Sequence, residues 1–60
     1  MINEGEVWRD TWNLDYVQVL DVNNGRVKAF HLENQLGECE GWIDSWNTET
    51  FRCCFRKERQ

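Results

Sequence analysis

The chain has no proline, one histidine and only three cysteines among its 60 residues. Without proline or a low-complexity stretch, it has no segment that is typical of an interdomain linker. No apolar run approaches the roughly 20 residues of a membrane-spanning helix, and the acidic start MINEGEVWRD lacks the apolar stretch of a signal peptide. We therefore expect one domain over residues 1–60, cytoplasmic and without a membrane partner.

The few cysteines and the single histidine do not favour a metal site. Cys53 and Cys54 are adjacent, and with Cys39 they make an odd number. Since no C-x-x-C spacing accompanies them, ordinary packing explains them better than metal ligation together with His31. A bridge from Cys39 to Cys53 or Cys54 stays open. We expect no metal and no cofactor, with one of the adjacent cysteines in the core and the other half-exposed.

Catalysis also finds little support. His31 falls in an expected strand, where a lone histidine is more often structural than catalytic. The chain has no G-x-S-x-G, no phosphate-cradling glycine loop and no H-E-x-x-H motif. Carboxylates are plentiful, but so short a chain rarely encloses a pocket in which two of them could act as acid and base. We expect a binding protein and not an enzyme.

Basic residues are scarce over most of the chain, whose formal charge is −4. Residues 1–49 hold ten acids and three bases, whereas residues 50–60 hold four bases and one acid. The acidic body disfavours nucleic-acid binding, because neutralisation of phosphates by Lys and Arg supplies most of that affinity. Segment 56–60 is predicted to be a short basic C-terminal tail, more typically solvated than functional.

Aromatic residues are abundant. Each can bury about 150–250 Å², which helps a small domain to build a core. The eight are Trp8, Trp12, Tyr16, Phe30, Trp42, Trp46, Phe51 and Phe55.

The clearest local pattern is a β-hairpin. Residues 16–22 and 26–32 are rich in β-branched and aromatic side chains, and Asn23-Asn24-Gly25 separates them. Asn24-Gly25 favours positive φ at both central positions of a type I′ turn. The predicted cross-strand pairs are Val22 with Val27 and Leu20 with Ala29.

A second pattern is an internal repeat, W-x-D-[ST]-W-N, at residues 8–13 and 42–47. We interpret the two copies as equivalent hairpin loops. Asp10 or Asp44 would begin a tight turn, its carboxylate accepting a backbone N–H two residues on. The closing asparagines, Asn13 and Asn47, would take the left-handed conformation. Of the four tryptophans, Trp12 and Trp46 would then project from the loops, whereas Trp8 and Trp42 would pack inside.

These patterns predict an all-β fold, a small five-stranded antiparallel barrel. Residues 33–40 are expected to form a polar connection, and a single helical turn near 45–50 is compatible with the pattern. The predicted strands are 5–9, 15–22, 26–32, 38–44 and 51–56.

The chain here resembles the small SH3-like β-barrel proteins of phage and bacterial accessory type. The resemblance covers residues 5–56 and rests on Gly5-Glu-Val-Trp-Arg9 leading into Tyr16-Val-Gln-Val-Leu20, the NNG hairpin and an aromatic final strand. The signatures of eukaryotic signalling SH3 domains, an ALYDY-type motif and paired tryptophans, are absent, so no ligand residues carry over. The resemblance implies an inhibitor or modulator of a host protein, acting in the host cytoplasm if phage-encoded.

Aromatics beside acids on the expected loops provide the candidate site. A tryptophan flanked by carboxylates suits a proline-rich peptide, a cation or a basic protein surface. We expect a protein partner, and a monomer or weak dimer. Two alternatives stay open: the tryptophans only close the ends of the barrel, or a nucleic acid binds the basic C-terminal strand and stacked aromatics. The candidate partner-binding residues are Trp12, Trp46, Asp10, Asp15, Asp44 and Glu49.

Overall fold

Five strands pair into one antiparallel sheet in the order β4-β3-β2-β1-β5. The computed structural model describes residues 1–12, 15–32 and 41–58. The all-β class with five antiparallel strands is confirmed. The elements are β1 Val7–Asp10, β2 Tyr16–Asn23, β3 Arg26–His31, β4 Ile43–Asn47, α1 Thr48–Cys54 and β5 Phe55–Lys57.

The hairpin between β2 and β3 forms at the predicted residues. Asn24 and Gly25 have φ values of 51° and 72°, the two positive values that a type I′ turn requires. Val22 lies opposite Val27, as expected. Because a β-branched side chain is strained at positive φ, Gly25 suits its place in this turn.

A β-bulge at Leu20 changes the expected pairing further along the hairpin. The register shifts between Val19 and Asp21, so Ala29 lies opposite Val19 and not opposite Leu20. The extra residue leaves Leu20 40% exposed, while Val19 stays in the core. The shift allows β2 to present Val19 and Val22 to the same core on either side of the bulge.

The core lies between one face of the sheet, the core face, and α1. Phe51 of α1 is fully buried, and its ring stacks on Phe55 with 4.4 Å between centroids. The helix crosses this face from end to end: Thr48 N donates to Gly25 O, and Thr11 N donates to Cys54 O. The buried apolar residues are Ile2, Trp8, Val17, Val19, Val27, Ala29, Phe51 and Phe55.

The predicted strand 51–56 is wrong for most of its length, because residues 48–54 form α1. The helix begins after Asn47, whose Oδ1 accepts the Thr50 N–H at 2.7 Å. Asn47 has φ −72°, so it is a helix N-cap and not the left-handed residue of a loop. The predicted strand 38–44 begins outside the described residues, and its counterpart β4 runs to Asn47.

The sheet does not close into the expected barrel. Between the edge strands β4 and β5, no pairing joins residues of the described ranges. The physical reason is that β5 has only three residues, and α1 packs against β3, β4 and β5 where further strand pairing would be needed.

The C-terminal basic segment is not a free tail over its whole length. Arg56 and Lys57 belong to β5 and pair with Arg9 and Trp8 of β1. Lys57 Nζ also lies 2.7 Å from Glu6 Oε2. The expected tail 56–60 is therefore wrong at its first two residues, and residues 59–60 lie outside the described ranges.

The adjacent cysteines are both free thiols. Cys54 is half-buried and packs against the core, whereas Cys53 is exposed. Both are more exposed than expected, because neither side chain enters the core itself. Cys39 lies outside the described residues. No helix in the described part of the chain has the length and apolar character of a membrane span.

Candidate functional site

Exposed tryptophans gather at one end of the sheet, where β1 turns into β2, β3 ends and β4 begins. We call this the tryptophan end and define it as residues 10–12, 15, 31–32 and 41–42. Asp10 N donates to Asp15 O on one side, and His31 N donates to Trp42 O on the other. Leu32 N donates to Tyr16 O and connects the two sides. The opposite end carries the Asn24-Gly25 turn and the start of α1.

Trp12 is 85% exposed on the β1–β2 turn. Its backbone N–H donates to Asp10 Oδ1 at 2.7 Å, which is the predicted bond from an aspartate to the residue two positions on. Thr11 ties the turn to the end of α1, since both its N–H and its hydroxyl donate to Cys54 O at 3.0 Å. The large apolar side chain of Trp12 thus projects from a turn that is held on two sides.

Trp42 is 48% exposed, so the expectation that it packs inside is wrong. Its ring stacks on His31 with 3.9 Å between centroids and 13° between planes. His31 is itself buried, and its Nε2 lies 3.9 Å from Asp44 Oδ2. Trp42 therefore covers the imidazole and leaves much of its own surface to solvent.

Trp46 is not a loop residue, so its predicted projection into solvent is wrong. It lies in β4 opposite Val27, on the core face. Its ring contacts Phe51 and Phe55, with centroids 5.5 Å and 5.0 Å away. The reason is that the second repeat copy continues as a strand along β3, which turns this side chain toward α1.

Trp8 is buried, as predicted. Its indole is held by Glu6, a carboxylate that was not among the candidate residues from the sequence. Trp8 Nε1 donates to Glu6 Oε1 at 3.2 Å. The pKa of Glu6 is lowered from 4.5 to about 2, mainly because its carboxylate accepts a hydrogen bond from Lys57. Hydrogen bonds from the Asn3 backbone, Trp8 and the Asn3 side chain act in the same direction, whereas desolvation opposes the shift. Glu6 is a structural acid that connects β1 to β5.

The predicted carboxylates divide between the two ends. Asp10 and Asp15 lie at the tryptophan end, and Asp44 joins them beside His31 with a carboxylate that is 41% exposed. Glu49 lies in the first turn of α1 at the other end. The structure therefore brings four predicted residues to one end, and it separates Glu49 and Trp46 from them.

Sequence reasoning missed the exposure of Trp42 and Ile43, which is 54% exposed. A signal was present, because two neighbouring apolar residues at the start of a strand point to opposite sides. Only one of them can face the core of a single sheet. The helical turn expected near 45–50 overlaps the start of α1, which extends further, to Cys54. Its start carries the usual signal, the N-cap Asn47 followed by the acid Glu49 in the first turn.

Comparisons of the chain with protein-family models, with curated proteins and with solved structures find no match. The described residues also hold no group of three His, Cys, Asp or Glu side chains that could bind a metal ion.

Proposed function

We propose that the domain is a protein-interaction module that binds a basic surface or peptide of its partner through the tryptophan end. The observation that carries the proposal is the 85% exposure of Trp12 on a turn fixed by Asp10 and Cys54. An exposed tryptophan can bury a large area on binding, and its side chain has few rotatable bonds to fix.

The charges around Trp12 select the partner. Asp10 and Asp15 lie on the same turn, and the half-exposed carboxylate of Asp44 lies on the same end of the sheet. Carboxylates beside an indole ring attract Lys and Arg side chains, which also interact favourably with the ring face. Trp42 provides a second exposed ring at the same end of the sheet, stacked on His31.

A more specific form of this function follows from the resemblance to small SH3-like proteins of phage and bacteria. A phage-encoded inhibitor or modulator would act as a monomer or weak dimer in the host cytoplasm. The acidic chain, with a formal charge of −4, suits a basic host surface, including one that ordinarily holds nucleic acid.

Affinity capture with matched variants tests the proposal. Wild-type protein, Trp12→Ala and Leu20→Ala are immobilised, and each is exposed to nuclease-treated lysate. Leu20 is the control because it is also an exposed apolar residue, 40% accessible at the bulge of β2. We expect a protein that wild type and Leu20→Ala retain and Trp12→Ala loses.

The captured protein is then purified and titrated. Loss of the Trp12 ring is expected to weaken binding by about 30-fold, which corresponds to about 2 kcal/mol. Asp15→Asn should slow association more at low salt than at high salt. Equal retention by wild type and Trp12→Ala, for every captured protein, would contradict the proposal.

A further inference from the structure

The side of the sheet that faces away from α1 forms a second surface, independent of the tryptophan end. Successive residues of a strand point to opposite faces. Since Trp8, Val17 and Ala29 point into the core, their neighbours point outward. We call this surface the open face and define it by Val7, Arg9, Tyr16, Gln18, Lys28, Phe30, Ile43 and Arg56.

Charge separates the two faces of the sheet. The open side carries Arg9, Lys28 and Arg56, and Arg26 extends it beside the hairpin turn. Its acids in the described ranges are Asp21, opposite Lys28, and Glu58 at the end of β5. By contrast, the core side carries the acids Glu6, Asp10 and Asp44, and Lys57 pairs with Glu6 there. The chain is acidic as a whole, but this surface has an excess of positive charge.

Two arginines lie directly opposite each other on this surface, Arg9 of β1 and Arg56 of β5. Like charges at such positions destabilise a sheet unless an anion offsets them. Neither arginine forms an ion pair within residues 1–12, 15–32 and 41–58. Arg56 is exposed and Arg9 is half-buried. The arrangement leaves guanidinium donors of this pair for an external anion.

Aromatic rings adjoin these cations. Tyr16 pairs with Arg9, whose guanidinium carbon lies 5.4 Å from the centre of the tyrosine ring. One row further along, Phe30 lies between Gln18 and Ile43. Tyr16 and Phe30 are half-buried, so part of each ring reaches solvent. A surface that binds single-stranded nucleic acid has two parts: cations that hold the phosphates, and aromatic rings on which the bases stack.

We propose that the open face binds single-stranded nucleic acid, with backbone phosphates at Arg9 and Arg56 and bases against Tyr16 and Phe30. An acidic peptide would satisfy the arginines, but it would not use the planar rings in the same way. The surface lies on the side of the sheet opposite α1, so it is distinct from the acids of the core side.

Fluorescence anisotropy with a labelled oligothymidylate and a labelled oligouridylate of about 12 nucleotides tests this inference. The matched variants are Arg56→Gln and Arg52→Gln. Both residues are exposed, and each substitution removes one positive charge. Arg52, however, lies on α1, on the other side of the sheet. At about 50 mM salt, we expect Arg56→Gln to weaken binding by about tenfold and Arg52→Gln by less than about twofold.

Two further measurements separate specific binding from general charge attraction. The salt dependence of log K should decrease in slope by about one for Arg56→Gln. An abasic oligomer of the same length should bind at least about fivefold more weakly, because stacking is lost. No binding by wild type, equal effects of the two arginine variants, or equal affinity for the abasic oligomer would each overturn the proposal.

Trp12→Ala is included in the same assay to keep this inference apart from the proposed protein-binding function. It should bind the oligonucleotides as wild type does, because Trp12 lies on the β1–β2 turn and not among the residues of the open face. Loss of oligonucleotide binding in Trp12→Ala would overturn the assignment to the open face.

Discussion

The same six-residue pattern, W-x-D-[ST]-W-N, takes two different structures in this molecule. In the copy at 8–13, β1 ends at Asp10 and the chain reverses direction. In the copy at 42–47, β4 continues to the end of the motif and passes directly into α1. The inward tryptophan is the first one in the earlier copy, Trp8, and the second one in the later copy, Trp46.

The two copies differ both in the bonds of their own aspartates and in what they pair with outside the motif. Asp10 uses its carboxylate to hold Trp12 N, and its own N–H donates to Asp15 O, so the turn closes. The carboxylate of Asp44 accepts the neighbouring Ser45 N–H, and Asp44 stays in register with Ala29. Pairing with β3 extends β4 through residues where the sequence predicted a hairpin loop.

The largest expected effect distinguishes the first tryptophans of the two copies. Trp8→Ala removes a buried ring that contacts Phe51, with centroids 5.1 Å apart, and should cost about 3–5 kcal/mol. That is much of the stability of a small domain, so this variant should be largely unfolded. Trp42→Ala should stay folded, because Trp42 is 48% exposed. Circular dichroism and urea unfolding measure both, and equal destabilisation would contradict the asymmetry.

For the second tryptophans, the loss of stability should be larger in the later copy, at Trp46, than in the earlier copy, at Trp12. Trp46→Ala loses contacts with Phe51 and Phe55 and should cost about 2–3 kcal/mol. Trp12→Ala should change the free energy of unfolding by less than about 0.5 kcal/mol, since its side chain is in solvent. Iodide quenching provides an independent check, because Trp12→Phe should remove more of the quenchable fluorescence than Trp46→Phe. Similar unfolding midpoints for the two alanine variants would show that the copies are equivalent after all.

A smaller effect tests the role of the last residue in the later copy. Asn47→Ala removes the acceptor of the Thr50 N–H and should destabilise the domain by about 1 kcal/mol. Asn47→Asp should retain most of the stability, because an acid is favourable at a helix N-terminus. Asn47→Gly is the decisive control: glycine should not stabilise an N-cap at φ −72°, whereas it would stabilise a left-handed loop residue.

The smallest expected effect concerns the acid that precedes the earlier copy. Glu6 has its pKa lowered from 4.5 to about 2 in the folded protein. Its carboxylate therefore stabilises the fold above pH 4.5, and this contribution is lost as the pH falls toward 2. The urea midpoints of wild type and Glu6→Gln should differ most near neutral pH and converge in acid. A difference that does not change with pH would mean that the Lys57 ion pair contributes nothing to stability.

Local chemistry made some features predictable from the sequence and left others open. Asn24-Gly25 favours positive φ at both positions through its own local chemistry, so the hairpin and the Val22–Val27 pair were correctly predicted. The Asp10 turn was also predicted from local chemistry, because an aspartate carboxylate readily accepts a backbone N–H two residues on. The bulge at Leu20 was not, because both faces of β2 are apolar and alternation alone does not place the extra residue.

The candidate site was harder to predict than the strands, because side-chain exposure depends on distant partners. Trp12 and Trp46 occupy the same motif position, and only pairing of β4 with β3 makes one of them a core residue. Helix α1 also depends on context. Its sequence has weak helix formers, but its N-cap and the burial of Phe51 stabilise it over a strand.

The placement of Phe51 and Phe55 in the core also affects how the domain forms during synthesis. These two stacked rings are joined to Trp8 through Phe51, and they follow β2 and β3 in the chain. Until residue 55 has left the ribosome, the valines of β2 and β3 have no helix to cover them. A nascent chain that stalls before that point would expose an apolar sheet face to chaperones and proteases. Truncated products should therefore be cleared quickly, and only chains that extend through Phe55 should accumulate.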